Sequence, residues 1–248
     1  MIRKYFSNPG KIKKDKIAWR SHEVTRIEAF SDGVFAFAVS LLVISLEVPK
    51  NSQDMLRSLW GFFPFTLTFL IVFWIWRTQY KFFRRYGLHD RATLTINSVL
   101  LIITLGFVYP LKFLFSTLFL PLGYFCRPQD VAPMVMLYNG GFAIIEFLFC
   151  SMYLNAYFKR TIVNLTAVET FETVSFAIGY LIPGFVSVIA VIIAFAERNN
   201  GWDKINICYM AYAALGILMP VFSRIRKKSF KRQFGNILIA EPAHNPEQ

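Results

Sequence analysis

Acidic side chains are scarce in this chain: 15 Asp and Glu stand against 27 Lys and Arg, and charged residues of both signs make up 17% of the whole. A soluble globular domain carries about a quarter. With 55% hydrophobic residues, there is too little polar surface to clothe a water-facing fold, which places the chain among membrane proteins. Cysteine is rare and scattered, at Cys126, Cys150 and Cys208 with no C-x-x-C spacing. That excludes a disulfide framework and a zinc site, leaving them as small apolar packing residues. His22, His89 and His244 all fall outside the apolar runs, so no cluster for metal binding or nucleophilic chemistry forms. A phosphate-cradling glycine loop and a G-x-S-x-G elbow are both missing, so there is no enzyme signature, and no cofactor or metal is expected. The first 25 residues lack a short apolar core ending in a small-residue cleavage site, and are expected to be a retained cytoplasmic segment.

What the chain has in abundance is apolar sequence. Six runs, at about 26–48, 59–80, 94–120, 132–157, 171–196 and 205–222, are each near the ~20 residues that a helix needs to cross a hydrocarbon core. Pro49-Lys50-Asn51-Ser52-Gln53-Asp54 breaks the first from the second, and Pro183-Gly184 predicts a kink in the fifth. The fold class is therefore all-α, a polytopic membrane protein with six transmembrane helices. A basic segment (1–25) precedes the six-helix unit (26–223), and a basic tail (224–248) follows.

The net charge of +12 flanks the apolar runs instead of lining one soluble face, so positive-inside placement explains it and nucleic acid is not the partner. Lys and Arg concentrate before the first run, between the second and third (Arg77, Lys81, Arg84, Arg85, Arg91), between the fourth and fifth (Lys159, Arg160) and in the tail; the opposite loops carry only Lys50, Arg57, Arg127, Arg198 and Lys204, with Lys112 near a helix interior. Both termini are thus expected in the cytoplasm, in a multi-pass protein of the cell membrane, with the tail as a topogenic, lipid-contacting segment.

The first run is the most informative. Arg26, Ser31 and Asp32 sit at its mouth, and no ionisable side chain follows from 33 to 46. Charged residues at a membrane edge pair with one another or face a watery interior. At about 100° per residue, Phe37, Ser40 and Ile44 fall on one stripe with Leu41 and Val48 beside it. Such a stripe is either helix-packing surface or a hydrophobic constriction that gates by dewetting. Ser40 either bonds back to the carbonyl of Ala36 or Phe37 or meets an ion. Glu47 is either a solvated helix-end carboxylate or a collector of cations at a pore mouth.

The residues themselves carry a resemblance. Arg26, then Phe30-Ser31-Asp32, then Gly33-Val-Phe-Ala-Phe-Ala-Val-Ser-Leu-Leu-Val and Leu46-Glu47-Val48-Pro49 resemble the first-helix signature of the transmembrane protein 175 family of potassium channels. Trp76, the stretch through Phe83 and Arg84, Asp90, Asn97 and Pro110 resemble that family's second and third helices. Bacterial members are similar in size, with a single six-helix unit. The resemblance implies a homotetramer in the bacterial inner membrane. Its four first helices would surround a central pore for K⁺ that lacks a carbonyl filter; the nearest filter-like dipeptide here, Gly123-Tyr124, lacks the flanking residues of one. It assigns the constriction to the positions five and twelve residues after the Asp and a hydroxyl to the position eight after, here Phe37, Ile44 and Ser40. Arg26, Ser31, Asp32, Trp76 and Asn97 fall to a polar network that holds the helix, although an interfacial aromatic at 76 and an interhelical bond at 97 are ordinary membrane features too. Two features depart from the pattern: Phe37 is bulkier than the usual aliphatic residue, and Gln79-Tyr80 replaces a His-His pair.

Glu146, inside the fourth run, supplies an alternative function, an ion- or proton-coupled secondary transporter. Glu169 and Glu172 suit the N-terminus of the fifth helix, where acids oppose the positive dipole end. Asn164-Leu165-Thr166 matches a glycosylation acceptor in a loop expected to be cytoplasmic, so the match is read as accidental. No array of Arg at every third position is present, which argues against steep voltage gating.

Overall fold

A computed structural model describes residues 19–20, 23–44, 51–119, 128–198 and 202–239. Within these the chain forms six helices: α1 (Arg26–Ile44), α2 (Ser52–Tyr86), α3 (Arg91–Phe119), α4 (Pro128–Phe158), α5 (Ala167–Ala196) and α6 (Trp202–Ile239). The described part of each expected run lies in its own helix. Glu47, Val48, Gly123, Tyr124, Cys126, His22 and His244 lie outside the described residues.

Local chemistry sets the helix starts. Thr25 caps α1: its hydroxyl accepts the Glu28 amide, and the Glu28 carboxylate accepts the Thr25 amide, both at 3.3 Å. The same reciprocal box, Thr166 with Glu169, opens α5. Asp90 starts α3 by accepting the Thr93 hydroxyl at 2.7 Å and the amides of Ala92 and Thr93. α2 ends on Gly87, whose φ of 58° lies in the left-handed region that closes a helix C-terminus at least strain; its amide reaches the Phe83 carbonyl at 2.8 Å.

Five of the helices, α1 to α5, contain stretches long and apolar enough to cross a membrane. In α6 the apolar run 205–222 carries no Asp, Glu, Lys or Arg. The helix then continues beyond the expected boundary at 223, to Ile239. Two tail aromatics explain why: Phe230 and Phe234 are buried against Phe171 of α5 at 5.7 and 5.9 Å between ring centroids. Arg226 also reaches the Glu172 carboxylate at 3.4 Å.

α1 packs against α2 and α3, while α4 packs against α3, α5 and α6. The main core lies between these helices and is rich in aromatics, with Phe82, Phe83, Phe149 and Tyr153 fully buried. Two glycines allow close approach: a Cβ at Gly141 of α4 would run into the Phe107 ring of α3, and one at Gly184 of α5 would sit 3.0 Å from the Phe147 ring of α4. α5 is one helix through Pro183 and Gly184.

Candidate functional site: the exposed face of the first helix

α1 has two faces of opposite character. Ser31, Phe35, Ala38 and Leu42 are buried against the rest of the chain. On the opposite side Phe37 is 55% exposed and Ile44 75%, and Ser40 is exposed between them. Leu41 lies half-buried at the edge of this stripe. The Ser40 hydroxyl donates to the Ala36 carbonyl at 2.9 Å. It thus takes the backbone bond that a membrane helix offers to serine.

A polar network fixes the rotation of that helix. The Trp76 indole N–H of α2 donates to the Asp32 carboxylate at 2.7 Å. Asn97 of α3 donates to the Ser31 hydroxyl at 3.0 Å, and Gln79 of α2 donates to the Asn97 side-chain oxygen. Ser31, Gln79 and Asn97 are all buried. Bonds to two neighbouring helices from adjacent positions of α1 leave little freedom to turn about the axis, which presents Phe37, Ser40 and Ile44 to the open side.

The structure therefore brings together four of the five expected network residues, Ser31, Asp32, Trp76 and Asn97. Arg26 is exposed, and among the described residues it pairs with none of them. The cause is helical geometry: six residues at about 100° each leave Arg26 some 120° round the axis from Asp32. Arg26 instead lies in line with Phe30, Gly33, Phe37, Ser40 and Ile44, all exposed.

Gln79 is the link that the sequence marked as a departure without naming its partner. Tyr80, the other half of that departure, stacks on Trp76 at 5.6 Å between ring centroids. It extends an aromatic ladder along α2 through Phe62, Phe65, Phe69, Phe73 and Trp76. The i, i+3/i+4 spacing of these rings was visible in the sequence and is the signal that finds the ladder.

A potassium channel of Marivirga tractuosa is 32% identical to this chain over 228 residues, covering 87% of this chain and 92% of the relative. The profile of the family described as endosomal/lysosomal potassium channel TMEM175 matches residues 26–108, which include α1 and the polar network. The chain belongs to the TMEM175 family. A potassium channel of Chamaesiphon minutus is 32% identical over 143 residues, 54% of this chain and 66% of that one. Among solved structures, a variant of the potassium channel MtTMEM175, crystallised with a nanobody–MBP fusion protein, superposes with a TM-score of 0.78 at 30% identity, covering 86% of this chain and 97% of that one. As a TMEM175 family member with several membrane-length helices, the chain is a multi-pass membrane protein. These comparisons lend the coupled-transporter reading no support. Glu146 is buried in α4 with its Oε2 lacking a partner among the described residues.

Proposed function

We propose that the chain is a passive, potassium-permeable cation channel of the bacterial inner membrane, assembled as a homotetramer around a central pore lined by four copies of α1. Phe37 and Ile44 form the hydrophobic constriction, Ser40 and Leu41 line the wall, and Glu47 gathers cations at the outer mouth. Both termini face the cytoplasm.

The observation that carries this reading is the exposed stripe of α1. A helix that is packed on one side only, and turned by a polar network so that Phe37 and Ile44 face outward, has its open face available to other copies of itself. Four such stripes facing one axis make an apolar ring that passes ions only when wetted. The relatives named as potassium channels supply the ion, and the Lys and Arg distribution supplies the orientation.

Purified protein in liposomes should pass K⁺ down a gradient, and Phe37→Ala should raise that flux roughly tenfold by removing the bulk that favours the dry state. No K⁺ flux from a folded, correctly assembled protein would end the channel reading. An unchanged flux in Phe37→Ala would move the constriction elsewhere.

A further inference from the structure

The short segment that leads into α1 is tied across the unit by one guanidinium. Arg20 Nε donates to the Val163 carbonyl at 3.0 Å. Its Nη1 donates to the Arg85 carbonyl at 3.3 Å and to Glu169 Oε1 at 3.1 Å, and its Nη2 to the Asn164 carbonyl at 3.1 Å and to Glu169 Oε2 at 2.6 Å. The guanidinium has five N–H donors, and these contacts use them all. The Arg20 backbone amide adds a bond to the Arg84 carbonyl at 3.0 Å.

One side chain thus joins the C-terminal turn of α2, the turn between α4 and α5, and the first turn of α5. The carbonyls of residues 84 and 85 belong to the last turn of α2, which lacks intrahelical donors. The carboxylate of Glu169 is 5% exposed. A bidentate pair with so little solvent on the acid is geometrically strict, and removing either member strands the other. Beside it Trp19 packs edge-on to Tyr80 at 6.1 Å, and Tyr80 stacks on the Trp76 that holds Asp32.

We propose that Arg20, locked by Glu169, is a positioning residue for the pore helix. It fixes the entry point of α1 against the α4–α5 side of the unit, and thereby sets the balance between closed and open arrangements of the Phe37–Ile44 stripe. The proposal rests on the channel reading given above. Its physical basis is the tether: Arg20 stands five positions before the Thr25 cap, a reach of at most about 18 Å. The leader anchor at Arg20 and the Ser31–Asp32 network then hold α1 at two levels. A turn or shift of α1 must strain one of them.

Substitution can separate the ion pair from the cap. Gln at position 169 keeps the reciprocal box with Thr166 while removing the charge. Arg20→Lys keeps the charge but offers three donors in place of a planar five-donor fork. The test pairs single-channel recording in planar bilayers with hydrogen exchange on the full-length protein. Arg20→Gln should change the ratio of open to closed time about tenfold while leaving unitary K⁺ current and the K⁺/Na⁺ ratio unchanged. Glu169→Gln should move it in the same direction, the double variant no further, and Arg20→Lys part of the way. In the exchange experiment, amides of residues 23–32 should exchange about tenfold faster in Arg20→Gln, with those of α4 unchanged. An altered unitary current, or an unaltered open ratio in a protein that merely melts earlier, overturns the proposal. If the parent protein carries no K⁺ current the channel reading falls, and the exchange arm still decides the anchor: unchanged exchange at 23–32 in both Arg20→Gln and Arg20→Lys overturns it.

Discussion

Asn97 of α3 gives its amide to the Ser31 hydroxyl of α1 at 3.0 Å while its side-chain oxygen accepts from Gln79 of α2. One amide therefore bridges three helices, with all three side chains buried at 1–2% exposure. A buried polar group that loses its partner costs about 1–3 kcal/mol. Asn97→Leu fills much of the space but strands both Ser31 and Gln79, and should destabilise by about 2–4 kcal/mol. Gln79→Ala strands only the Asn97 oxygen and should lose about half as much. Thermal melting of the detergent-solubilised protein checks both, and the Asn97→Leu/Gln79→Ala double variant should fall short of the sum because the two share a bond. An Asn97→Leu protein as stable as the parent would remove the bridge from any part in holding α1.

Trp76 does two things that substitution can part. Its indole N–H holds Asp32 at 2.7 Å, and its ring sits between Phe73 and Tyr80 at 5.4 and 5.6 Å. Trp76→Phe keeps a ring in the ladder and loses only the donor. Since Asp32 is exposed, the loss should be small, about 1 kcal/mol. Trp76→Ala opens the ladder as well and should cost clearly more. In K⁺ flux, the Phe variant should nevertheless differ from the parent, because the lost bond is one of those that set the rotation of Phe37 and Ile44. A Phe variant with parental flux would assign Trp76 to packing alone.

Much of this arrangement is legible along the chain because hydrophobic runs of membrane length fix helix number, and a helix carries its own faces at 100° per residue. The opposition of Phe37, Ser40 and Ile44 to Phe35, Ala38 and Leu42 follows from that alone. Partnerships across the unit do not. Arg20 and Glu169 lie 149 positions apart, and locally Arg20 is one of many cations in a topogenic segment while Glu169 is an ordinary first-turn acid. Arg26 shows the converse: a family signature groups it with Asp32, six positions on, but the helical turn carries it to another face. The continuation of α6 had a local signal, the pair Phe230 and Phe234 at i, i+4 among cations, which the dominance of charge over 224–232 obscured.

Two adjacent glycines give a prediction about helix approach. A Cβ at Gly141 meets the buried Phe107 ring, while one at Gly140 meets nothing within 4 Å. Gly141→Ala should therefore destabilise by about 1–3 kcal/mol as α3 and α4 are pushed apart or the ring is forced off its rotamer. Gly140→Ala should be neutral or slightly stabilising, because it lowers the freedom of the unfolded helix without a clash. Melting of the two variants side by side tests this, and equal stability would mean that Phe107 swings aside without loss.

Asp90 supplies the pH dependence. Partial burial pushes its carboxyl up, but the Lys159 ammonium at 2.5 Å, the Thr93 hydroxyl and amide, and the Asn155 amide together hold it well below the usual carboxylate range. A group lowered on folding binds its proton more weakly in the folded state. The stability it adds is full above its unfolded value of about 3.9 and is lost as pH falls through that value towards the folded one. Lys159 and Asp90 remain 27% and 24% exposed, so solvent screens the pair and its worth is about 1 kcal/mol or less. Asp90→Asn keeps an acceptor at the start of α3 and removes the charge. The stability gap between parent and variant should be constant above about pH 5 and close below about pH 4, and it should shrink in high salt. A gap that widens in acid would mean that burial, and not the Lys159 contact, governs Asp90, and that the α3–α4 clamp is held by Asn155 and Thr93 alone.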